Sequence, residues 1–103
     1  MHELQVKYQA AIRQLVDACH RCAELNFVTS AGGNLSQRVD ENVLIITPTK
    51  TPKRTMREED ICVIDLDGNV LFAPEGKKPT GEWPLHTRIM RKRPDIRAIA
   101  HTH

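Results

Sequence analysis

At 103 residues the chain has room for one small domain, and 40% hydrophobic with 27% charged residues fits a globular protein rather than a disordered one. A net charge of +2 is too near neutral to argue for nucleic acid, and with 4% aromatic residues no basic stretch is interleaved with stacking rings. No run approaches the roughly 18 apolar residues of a membrane span, and the opening "MHELQVKYQA" has no apolar signal core, so neither nucleic acid nor membrane is expected as a partner and a cytoplasmic setting is expected.

Leu4, Tyr8, Ala11, Leu15, Ala18, Cys22 and Leu25 alternate spacings of four and three, with no Gly or Pro between them. This stripe predicts one amphipathic helix lying on a sheet, with Asn26 as its stop signal. Within it, "CHRC" (Cys19 to Cys22) tests poorly as a site. Ala23 stands where a c-type haem motif needs His, and no second cysteine pair completes a zinc knuckle. With Cys62 the cysteines are odd in number, so no disulfide framework is expected. Cys19 and Cys22 read as small apolar residues on one helix face.

Gly32-Gly33 marks a turn open to few other residues. Asn34 to Val39 then reads as a strand with Asn34, Ser36 and Arg38 on one side, and Val43 to Thr47 as a buried strand; Asp40-Glu41-Asn42 joins them as a hairpin. "PTKTPKRTMREED" is a loop whose last four residues make one helical turn. Ile61 to Leu66 and Asn69 to Phe72 flank Asp67-Gly68, a hairpin turn signal. After the loop "APEGKKPTGE", Trp83 to Arg93 reads as a helix with Pro84 in its first turn and Pro94 as its stop. Ile96 to His103 reads as a last strand. The class is α/β, one domain over residues 1–103, with a mainly antiparallel or mixed central sheet flanked by helices.

On a strand, His101 and His103 share a face, within reach of one metal ion. An H-x-H pair is weak evidence alone. Glu82 is the best carboxylate partner, because it opens the helix that leads into the His101 strand. Its bland role is to favour the positive end of a helix capped by Thr80; its sharper role is to face a metal and move a proton. Three loops carry groups suited to an anion: "GGNLS" with Gly33, Asn34 and Ser36; "TPTK" with Thr47, Thr49 and Lys50; and "KKPTG" with Lys77, Lys78, Thr80 and Gly81. None matches a P-loop or a dinucleotide fingerprint.

In this order, "AGGNLS" (Ala31 to Ser36), "LIITPTK" (Leu44 to Lys50), "PTGEWPLH" (Pro79 to His86) and "AHTH" (Ala100 to His103), behind an N-terminal helix, resemble the N-terminal portion of the class II aldolase/adducin family. The resemblance is to its sugar-phosphate aldolases of the L-fuculose-phosphate aldolase type. It implies a zinc- or other divalent-metal-dependent lyase that breaks or forms a carbon–carbon bond in a phosphorylated ketose. His101 and His103 match two metal-binding histidines of the family, and Glu82 matches its catalytic glutamate. Asn34, Thr49 and the Thr80-Gly81 turn fall where the family holds the substrate phosphate. The metal would stabilise an enediolate while Glu82 moves the proton.

The sequence also departs from that pattern. Lys50 stands where the family commonly has Gly, and Thr80-Gly81 where it has Ser-Ser; Lys50 either adds a charge to the phosphate or crowds it. The family's third metal histidine lies downstream of His103. Of His2, His20 and His86, the last is the least poor replacement, and a structural or supporting role is favoured for it. The chain is therefore expected to be part of a family domain, poorly active alone, and prone to form a homo-oligomer through an uncovered sheet edge. An epimerase or dehydratase on the same site, and a non-catalytic adducin-type assembly domain, are the alternatives. The joint presence of Glu82, His101 and His103 favours an enzyme.

Overall fold

The alternation of Asn34, Ser36 and Arg38 with Leu35, Gln37 and Val39 builds the strand on which the architecture turns, β1 (Asn34–Asp40). A computed structural model describes residues 1–102. Before β1 come helices α1 (Glu3–Lys7) and α2 (Gln9–Glu24). After it come β2 (Val43–Ile46), β3 (Cys62–Asp65), β4 (Val70–Phe72), helix α3 (Trp83–Lys92) and β5 (Ala98–His101), with 3-10 turns at Lys53–Thr55 and Glu58–Asp60. Among the described residues the strands form one sheet in the order β4-β3-β2-β1-β5, antiparallel throughout.

Register assigns the two faces. Leu35, Ile45 and Val63 turn to α2 and pack with Ile12, Leu15, Val16 and Cys19. The rows Ser36–Ile46–Cys62 and Arg38–Leu44–Ile64 turn to the other side, where Met90 of α3 packs on Leu44, Ile46, Cys62 and Ile64. Arg38 fixes α3 to this face: its guanidinium donates to Met90 O at 2.6 Å and to Glu41 O at 2.7 Å. That bond satisfies a carbonyl in the last turn of the helix, which has no partner within the helix itself.

The expected single N-terminal helix is two, broken at Tyr8, where φ is −106°. No Gly or Pro causes the break; tertiary anchors do. The Gln5 side chain donates to Glu59 O and Ile61 O, and the His2 ring stacks on Phe72 at 4.3 Å, so α1 is tied to the segment before β3 and to β4. The buried stripe is centred on Ile12, Cys19 and Ala23, one position on from the expected one, and Leu25 is exposed. Asn26 does end α2, in the left-handed region at φ 61°. The cysteines are free thiols, and burial pushes Cys19 and Cys62 up to about 12. The last strand runs Ala98–His101, shorter than Ile96 to His103, and His103 lies outside the described residues.

Candidate functional site

Among the described residues, the expected site residues fall on β1 and β5, on the loop after β2 and on the segment that leads into α3. β1 and β5 pair with Asn34 opposite His101, and cross-strand partners present side chains to the same face. The turn before β1 makes that pairing possible. Gly33 has φ +80°, and a Cβ there would meet Val28 Cγ1 at 2.4 Å and the His101 carbonyl oxygen at 3.2 Å, so only glycine lets the chain enter β1 this close to β5.

From the facing helix, His86 inserts between the two polar residues of β1. It is fully buried. Nε2 lies 2.5 Å from Asn34 Oδ1, and Nδ1 lies 2.6 Å from Ser36 Oγ. Burial, with the His101 charge as a second cause, lowers the His86 pKa to about 4, so the ring is neutral at physiological pH. The Ser36 hydroxyl, expected to meet an anion, is therefore turned inward; it is itself 1% exposed. Thr47 is corrected in the same way, because its hydroxyl accepts from Leu35 N–H at 3.2 Å inside the sheet.

Glu82 precedes α3 directly, one turn before His86. The Thr80 hydroxyl accepts its backbone N–H at 3.3 Å in the turn ahead of the helix; the N-cap is Glu82 itself and no side chain caps α3, so the expected Thr80 cap is not formed. The Glu82 side chain is exposed, and among the described residues its carboxylate has no hydrogen-bond or ion-pair partner. Gly81 lies beside it with open space around its Cα.

Thr49 and Lys50 occupy the facing loop. Thr49 N–H donates to Lys78 O at 2.8 Å and Thr80 N–H to Thr47 O at 3.0 Å, so the 47–51 and 76–81 segments run side by side. Between them Thr49, Lys50, Thr51, Gly76, Lys77 and Lys78 line an open cavity of about 270 Å³. Lys77 Nζ is held by Thr51 Oγ1 at 3.2 Å and lies 3.9 Å from Asp60, which offsets part of its charge. Lys50 sits in the left-handed region at φ 58°.

A staple between the loops escaped the sequence reading. Lys53 is 1% exposed, and its ammonium donates to Ala31 O at 3.2 Å and Thr51 O at 3.3 Å. It ties the Gly32-Gly33 turn to the threonine loop. A lysine in a Pro- and Thr-rich segment looks solvated, so no local signal marks it.

The class II aldolase and adducin N-terminal domain family matches residues 13–103. The chain belongs to this family. It is 36% identical over 92 residues to the L-fuculose phosphate aldolase of Methanococcus vannielii, spanning 89% of this chain and 48% of that protein. It is 37% identical over 89 residues to the methylthioribulose-1-phosphate dehydratase of Pectobacterium atrosepticum, spanning 86% of this chain and 42% of that one. The L-fuculose 1-phosphate aldolase structure from Glaciozyma antarctica superposes with a TM-score of 0.82 at 25% identity, over 89% of this chain and 39% of that one. The chain thus spans about half the length of the curated relatives it matches.

Class II aldolases generally depend on a divalent metal. Among the described residues no three His, Cys, Asp or Glu side chains gather to hold one. His101, with its side chain on the site face, is the expected ligand that lies among them; the second, His103, lies outside.

Proposed function

We propose that this chain carries the phosphate-binding and proton-transfer part of a sugar-phosphate lyase, one that cleaves a phosphorylated ketose by a retro-aldol step. What supports this is the pairing of Asn34 with His101 on the α3 face, where His86 one turn after Glu82 meets Asn34, together with paired loops rich in Thr and Lys. Asn34, Thr49, Lys50, Thr80 and Gly81 would hold the phosphate through N–H, O–H and ammonium groups. In the cleavage direction the bond between the carbons α and β to the ketone breaks. The β-hydroxyl gives its proton to the Glu82 carboxylate and becomes an aldehyde, and the electron pair stays on the α-carbon. Glu82 is free to deliver a proton to that carbon, since no neighbour among the described residues occupies its carboxylate. A divalent ion held by His101 and His103, with a further ligand from outside the described residues, would supply Lewis-acid polarisation of the carbonyl.

A dehydratase is the second reading, favoured by the relative from Pectobacterium atrosepticum at 37% identity. It requires the same phosphate grip and the same proton movement next to a ketone. Assays with L-fuculose 1-phosphate and methylthioribulose 1-phosphate, each with and without a chelator, test both. Aldehyde release from the first substrate, lost with Glu82→Gln, supports the lyase. Turnover of the second alone replaces it with the dehydratase. Turnover of neither, with no phosphate binding, overturns the enzyme reading for this chain.

A further inference from the structure

The pairing at His86 fixes more than the position of a helix. A carbonyl oxygen accepts and never donates, so the 2.5 Å contact with Asn34 Oδ1 requires a proton on His86 Nε2. Nδ1 is then bare and accepts from the Ser36 hydroxyl at 2.6 Å. With the amide in this orientation both ring nitrogens are paired; the flipped amide, its NH2 donating to Nε2, would close instead on an Nδ1–H that donates to the Ser36 hydroxyl oxygen, so the ring tautomer reports the amide orientation. With Oδ1 held by the ring, the NH2 group of Asn34 is the end of the side chain left to meet a ligand. The opposite flip would present a carbonyl oxygen to an anion and repel it.

We infer that His86 is a positioning residue, which locks the Asn34 amide with its NH2 group turned to the anionic oxygens of the substrate. The inference rests on the reading of Asn34 as an anion ligand. It adds a residue that touches no substrate and works through another. Ser36 completes the device: its hydroxyl donates to Nδ1 when the ring proton is on Nε2, so both ring nitrogens are paired in this tautomer. An amide without this lock samples both orientations, and a histidine replaced by an apolar ring leaves Asn34 Oδ1 and the Ser36 hydroxyl buried and unpaired.

The test uses the 103-residue chain and inorganic phosphate, followed by NMR titration. In the parent chain the His86 ring nitrogens should report the Nε2–H tautomer at pH 7, and the Asn34 side-chain NH2 signal should shift on adding phosphate. Asn34→Ala should weaken phosphate binding about tenfold. His86→Phe should weaken it as much, and the double variant no further. His86→Gln, whose amide NH2 can reach Oδ1 in place of Nε2–H, should restore most of the affinity. A purely structural role predicts instead a fall in thermal stability with affinity unchanged in His86→Phe, and that result overturns the inference. Losses that multiply in the double variant overturn it too, as does an Nδ1–H tautomer in the parent, which needs no variant to fold. If Asn34→Ala binds phosphate like the parent, the anion-site reading falls and this inference falls with it. If Asn34→Ala weakens binding and His86→Phe does not, the anion site stands and the inference alone is lost.

Discussion

Leu35 and Ser36 are neighbours on β1, and their side chains enter different chemistry. Leu35 faces α2 among Ile12, Leu15, Ile45 and Val63, where apolar side chains fill the layer. Ser36 faces α3, where Asn34, His86 and Arg38 bring buried polar groups into a layer that is apolar only further along, at Leu44, Ile46 and Met90. Every buried polar contact there needs a matched partner, because an unpaired one costs about 1–3 kcal/mol. The α2 face tolerates any packing of the right volume. The α3 face tolerates one arrangement of donors and acceptors, and it is the face that carries the candidate site.

Glu82→Gln should separate function from fold most sharply. The carboxylate is exposed and engages no described neighbour, so thermal stability should stay within about 0.5 kcal/mol of the parent. Turnover of a sugar phosphate, where the active protein shows it, should fall about a thousandfold. A loss below tenfold would remove Glu82 from proton transfer. On the opposite face, Ile45→Ala opens a cavity in a residue with no exposed surface and should cost about 3 kcal/mol by urea unfolding. Phosphate affinity should not change where the variant is folded. A shift in affinity would mean that the two faces are coupled through β2 and are not independent layers.

Stability against pH tests the polar face alone. His86 is neutral when folded, with its pKa lowered to about 4, while in the unfolded chain it titrates near 6.5. Below that value the unfolded state binds the extra proton, so stability is full above about pH 6.5 and is lost as the pH falls toward 4. Between pH 7 and pH 5 the loss should be about 2 kcal/mol. His86→Gln should flatten that part of the curve. An equal slope in the variant would assign the pH dependence to other groups.

These two faces were not equally legible in the sequence. Alternation in "NLSQRV" places Asn34 and Ser36 on one side correctly, and the four-three spacing finds α2, because periodicity reports which face is buried. Nothing local announces the break at Tyr8, since Gln5 and His2 make it through residues more than fifty positions away. Ser36 and Thr47 look suited to an anion in sequence because a hydroxyl near a turn has the same signature whether it faces solvent or a buried partner. Lys53 was missed for the converse reason: burial of an ammonium depends on two carbonyls, Ala31 O and Thr51 O, that come together only after folding. The helix start that sets Glu82 and His86 one turn apart was legible because Pro84 marks the first turn of α3.

Lys50 offers the smallest expected effect and sharpens the question its sequence raised. At φ 58° its backbone occupies the left-handed region, which disfavours a side chain by about 1 kcal/mol. Lys50→Gly relieves that strain but adds freedom to the unfolded chain, which takes back about 0.5 kcal/mol. The net gain should be about 0.5 kcal/mol in urea unfolding. Its ammonium lines the cavity with Thr49, Thr51 and Lys78, and unlike Lys77 it has no carboxylate within ion-pair distance among the described residues. Removing it should therefore weaken phosphate binding about threefold, and raising the salt concentration should shrink the difference. Tighter binding in Lys50→Gly would mean that the side chain crowds the anion, and that the cavity favours a substrate whose charge lies closer to Asn34 than to the lysines.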